Sequence, residues 1–77
     1  MMSKIYVNVI AEHDVNGNVK PVLIKLADGR KFLIDKILDV RQAPSLKGGG
    51  LGMRYTCRIY GKQYYLFNEM GRWFLEK

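Results

Sequence analysis

Lys4-Ile5-Tyr6-Val7-Asn8-Val9-Ile10-Ala11-Glu12-His13, then Asp14-Val15-Asn16-Gly17-Asn18, then Val19 to Leu26 is the stretch that decides how this chain folds. Ile5, Val7, Val9 and Ala11 alternate with Tyr6, Asn8, Ile10 and Glu12, the period of two that marks a half-buried strand. Asn16-Gly17 suits the two positive φ angles of a type I′ turn. Folded about that turn, Ala11 faces Val22, Val9 faces Ile24 and Val7 faces Leu26, so apolar residues meet apolar residues across the hairpin.

The same logic extends outward. Ala27-Asp28-Gly29 reads as a three-residue loop with Gly29 left-handed, which sets Ile24 against Phe32 and Val22 against Ile34. Gly61-Lys62 reads as a type II′ turn, placing Ile59 opposite Tyr64, Cys57 opposite Leu66 and, on the other face, Arg58 opposite Tyr65. Pro21 has no N–H to donate and belongs near a strand start or on an edge. Lys31 to Arg41 is too long and, at Asp35-Lys36, too polar for one flat strand, so a bend there lets it serve two sheets. Residues 43–52, with Pro44 and glycines at 48, 49, 50 and 52, read as a flexible loop. Glu69-Met70-Gly71-Arg72 turns the chain into a last strand holding Trp73, Phe74 and Leu75. There is no repeat and no sustained helical periodicity, so residues 1–77 read as one all-β domain. Its expected form is a small antiparallel barrel or strongly curled sheet of about five to six strands.

Residues 28 to 41, with Arg54-Tyr55-Thr56-Cys57-Arg58-Ile59 and Arg72-Trp73-Phe74-Leu75-Glu76, resemble short uncharacterised bacterial proteins that carry an SH3-like barrel. The resemblance spans about residues 20 to 76. It implies the barrel and names no activity, so it brings no functional residue with it.

At 77 residues the chain has no room for a separate catalytic domain, and a core of this size commonly supplies only about 3 to 5 kcal/mol. Self-association is therefore an option. Cys57 is the lone cysteine and has no internal disulfide partner. No basic start leads into a long apolar run, so a cytoplasmic protein without a membrane span is expected. Thirteen Lys and Arg against seven Asp and Glu give a charge of +6, which serves solubility or attracts anionic partners.

Two surfaces are candidates for function. On the outward face of the third hairpin, Arg54 is expected opposite Glu69, Thr56 opposite Phe67, Arg58 opposite Tyr65 and Tyr60 opposite Gln63. Arg54, Arg58, Tyr60, Tyr65 and Phe67 could hold single-stranded nucleic acid, rings stacking bases and cations binding phosphates, with Lys36, Arg41, Lys47 and Lys62 adding field. The simpler alternative is a cross-strand cation–π pair of Arg58 on Tyr65, worth about 0.5 to 1 kcal/mol. The second surface is the apolar row Tyr6, Ile10, Leu23 and Leu33, on a side where solvent-facing residues belong. Either the C-terminal strand or the bent half of strand three covers it, or it is an interface for a homodimer or protein partner.

The remaining motifs point to structure. Lys47-Gly48-Gly49-Gly50-Leu51-Gly52 lacks the Lys-Ser or Lys-Thr and the helix of a phosphate loop and reads as a linker. Cys57 reads as core. His13 points away from Glu12 and Asp14 on strict alternation, so no metal site is expected there. Asp28, Asp35 and Asp39 belong to the turn and the bend, and Trp73 and Phe74 anchor the closing strand. With no nucleophile, base and orienting group that can be named together, the expectation is a non-enzymatic binding module with no cofactor.

Overall fold

The computed structural model describes residues 4–44 and 51–76. The strands are β1 (Lys4–His13), β2 (Val19–Lys25), β3 (Lys31–Leu33), β4 (Lys36–Pro44), β5 (Leu51–Ile59), β6 (Lys62–Glu69) and β7 (Arg72–Glu76). They pair antiparallel in the order β3-β2-β1-β7-β6-β5-β4 and curl into a half-barrel. The seventh strand, one more than expected, comes from Lys31 to Arg41 splitting in two. The expected loop 43–52 is shorter than its sequence suggests: β4 runs through Ala43 and Pro44, β5 starts at Leu51, and 45–50 lie outside the described residues.

One strand and one bend join the two halves of the sheet. Lys4 to Val7 of β1 pair with β7, while Asn8 to His13 pair with β2. At the expected bend, the Ile34 N–H donates to the Val22 carbonyl at 2.9 Å and the Asp35 N–H to the Arg58 carbonyl at 2.9 Å. Adjacent residues thus extend the ladders at opposite edges of the strand order, and the chain itself curls the sheet.

The hairpins show how register is set. In the first, the Gly17 N–H donates to the Asp14 carbonyl at 3.1 Å, and among these turn residues only Gly17 has positive φ, 84°. The turn is therefore a three-residue loop with Gly17 left-handed, and not the type I′ turn expected from Asn16-Gly17. Asp14 makes that choice, accepting the Asn16 and Asn18 N–H groups on Oδ1 at 2.9 Å each. The extra loop residue shifts Glu12 onto Lys20 and His13 onto Val19. A bulge between Ile10 and Ala11 then restores the expected pairing of Val9 with Ile24, and Ala11 faces Pro21 where Val22 was expected. The second hairpin is as expected, with Gly29 at φ 91° and Ile24 opposite Phe32.

The third hairpin turns on Tyr60-Gly61, at φ 50° and 75°, a type I′ turn displaced by one residue from the expected Gly61-Lys62. Cys57 therefore faces Tyr64, Tyr55 faces Leu66, Arg54 faces Phe67 and Arg58 faces Gln63. Each partner slides by two positions, which leaves every side chain on its expected face. The last hairpin turns on Met70-Gly71, at φ 53° and 82°.

Val7, Ile24, Tyr55, Cys57, Ile59 and Leu66 form the buried core on the concave side, with Phe32, Ile34, Trp73 and Leu75 packed against it. Burial pushes the Cys57 thiol up to about 11 and raises the Tyr55 phenol above its ordinary value. Cys57 is thus a core thiol, as its inward position on β5 implies.

Candidate interaction surfaces

The convex face of β1, β7, β6, β5 and β4 carries rings roofed by cations. Register places Tyr6, Phe74, Phe67, Arg54 and Arg41 in one cross-strand line. Phe67 and Phe74 stack with centroids 5.2 Å apart, and Tyr6 lies 5.5 Å from Phe74. Lys4 Nζ sits 4.7 Å over Phe74, the Arg72 guanidinium 4.4 Å over Tyr6 and the Arg54 guanidinium 4.8 Å over Tyr65. These long side chains face the rings with their charges, and Phe67, stacked on Phe74, keeps only 2 % of its surface exposed while Tyr6 keeps 46 %.

This arrangement does not gather the residues proposed for nucleic acid into a stacking platform. Phe67 is buried, Tyr65 lies under Arg54, and Tyr60 stands at the hairpin tip, edge-on to Phe32 at 5.9 Å. A base needs an open ring face. The cation on Tyr65 is Arg54, not Arg58, because of the two-residue slide; Arg58 is exposed beside Gln63 and Lys36. The expected Arg54–Glu69 pair is absent for the same reason, Glu69 facing Arg72 instead. Arg54 Nε and Glu69 Oε2 are each buried without a hydrogen bond. Charge repels along β4 and β5, where Arg41 faces Arg54 and Lys36 faces Arg58. Asp39 eases this: its hydrogen bond from Arg41 Nε at 2.6 Å, with the nearby charges of Arg41 and Arg54, holds its carboxyl below the ordinary value.

The apolar row is a different case. Ile10, Leu23 and Leu33 are direct cross-strand neighbours on β1, β2 and β3. Ile10 is 62 % exposed and Leu33 64 %, with Leu23 half-buried between them. Both coverings considered from sequence lie elsewhere: β7 pairs with the other half of β1, and β4 forms the far edge of the strand order. Tyr6 does not join the row closely; it sits on the β7-paired half of β1 between Phe74 and Arg72. Lys25 faces Asn8 and Lys31 on one flank of the row, and Glu12 faces Lys20 on the other.

Among the described residues no group of three or more His, Cys, Asp or Glu could hold a metal ion, and no helix is long and apolar enough to cross a membrane. No protein-family model, no curated protein and no solved structure matches the chain.

Proposed function

We propose that the chain is a non-enzymatic binding module that self-associates, reversibly, through the Ile10, Leu23 and Leu33 row. The observation that carries this reading is the row itself: three cross-strand apolar neighbours, two of them about two-thirds exposed, with no described strand over them. Leu23 lies on β2, the middle strand of the three. A row centred in this way suits a two-fold contact, with Leu23 against Leu23 and Ile10 of one copy against Leu33 of the other. The packing would be sheet on sheet.

Magnitudes make the contact weak. Covering the exposed parts of Ile10 and Leu33 contributes about 1 to 2 kcal/mol per side chain, against an association cost of about 4 to 15 kcal/mol. Three side chains per copy also fall short of the roughly 800 Å² per partner of a standard interface. The flanking Lys20, Lys25 and Lys31 and the charge of +6 repel a second copy, so screening by salt strengthens the contact. A lone thiol held in the core fits a reducing compartment, and we place the module in the cytoplasm. Following amide shifts of the labelled protein on dilution tests the site: changes centred on Ile10, Leu23 and Leu33 are expected, and changes centred on the convex face of β5 and β6 would overturn it.

A further inference from the structure

We infer that the end of the half-barrel is a ligand site for a small amphiphilic monocarboxylate, an apolar body of eight to ten carbons or so bearing one carboxylate. A cavity of about 360 Å³ opens there, at the small end of the range of ligand pockets. Its walls are Ile24 of β2, Leu26 just after that strand, Ile59 of β5 and Leu75 of β7, closed on one side by Phe32 and Tyr60. This is core surface that the curled sheet leaves uncovered where the strands end.

Arg30 brings charge to the cavity, whose other polar lining residues are Tyr60 and Tyr64. Among the described residues Arg30 is its only charged lining residue, and no carboxylate lines it. Asp28 accepts from Arg30 Nε at 2.7 Å in an exposed ion pair, while the two Nη groups of Arg30 make no hydrogen bond among the described residues. The Arg30 guanidinium also lies 6.0 Å from the Phe32 ring centre, at the mouth. A guanidinium held by one edge and open on its others presents a fork for a carboxylate, and the apolar walls take the tail.

Tyr60 stands beside this mouth at the first position of its type I′ turn, the position that Met70 holds in the last hairpin. It holds a left-handed φ of 50°, costly for a bulky residue, where Asn or Gly would turn the chain without strain. Tyr60 is 76 % exposed, and its ring stands edge-on to Phe32 at 5.9 Å, forming a wall of the cavity.

The test is a pair of titrations of the ¹⁵N-labelled full chain, with octanoate and with 1-octanol. Octanoate is expected to shift the Ile24, Phe32 and Ile59 amides saturably and to bind about five- to tenfold more tightly than octanol. Arg30→Gln, a change in an exposed loop, is expected to erase that difference, and Leu26→Trp to abolish binding of both by filling the cavity. Equal affinity for the two probes in the unmodified chain would overturn the proposal. So would shifts centred on Ile10, Leu23 and Leu33, or the absence of any saturable shift.

Discussion

Met70 holds a φ of 53° with its side chain in solvent, and nothing packs on it to justify that conformation. The left-handed backbone costs roughly 1 to 2 kcal/mol for an ordinary residue and much less for asparagine. Met70→Asn is therefore expected to raise stability by about 0.5 to 1 kcal/mol, read as a higher urea midpoint. Cys57 gives a prediction in pH. Its folded value of about 11 lies above the ordinary 9.0, so the unfolded chain loses the thiol proton first. Stability is then fully present below about pH 9 and falls as pH rises toward about 11, with the raised Tyr55 phenol acting in the same direction. Cys57→Ala is expected to lower stability at neutral pH and to flatten that alkaline decline in denaturant titrations.

Among the elements, β5 shows where sequence was legible and where it was not. Its inward residues Tyr55, Cys57 and Ile59 follow from alternation alone and are buried. The partner of each does not follow, because Tyr60-Gly61 and Gly61-Lys62 both offer a plausible two-residue turn and only the first is used. Alternation cannot separate them, since a two-residue slide preserves both faces. In the first hairpin two departures cancel: Asp14 captures the turn and adds a loop residue, and the bulge near Val22 removes the shift before Val9 meets Ile24. Gly52 was legible only as a flexible residue, yet it is a strand position where a Cβ would lie 2.6 Å from the Asn68 carbonyl oxygen. Gly52→Ala must push β5 away from β6 and is expected to cost about 1 to 3 kcal/mol in equilibrium unfolding.

For the molecule as a whole, the bend at Asp35-Lys36 was readable because polar residues interrupt an apolar strand, and it is what curls the sheet. The apolar row was readable too, since Ile10, Leu23 and Leu33 fall on the wrong side of an alternating pattern. The cation roof was not, because which arginine covers which ring depends on the register of the third hairpin, and the end cavity depends on curvature that no local pattern encodes. The row is the surface on which the proposed self-association rests, and the mass of the protein in solution addresses it most directly. Light scattering coupled to size exclusion, over a concentration series at low and moderate salt, should compare the natural chain with Ile10→Lys/Leu33→Lys. For the natural chain, a mass rising with concentration toward that of a dimer is expected, more so at moderate salt, while the variant keeps its circular dichroism and stays monomeric. A natural chain monomeric at every concentration and salt, or a dimer that the double substitution leaves intact, would contradict self-association through this row.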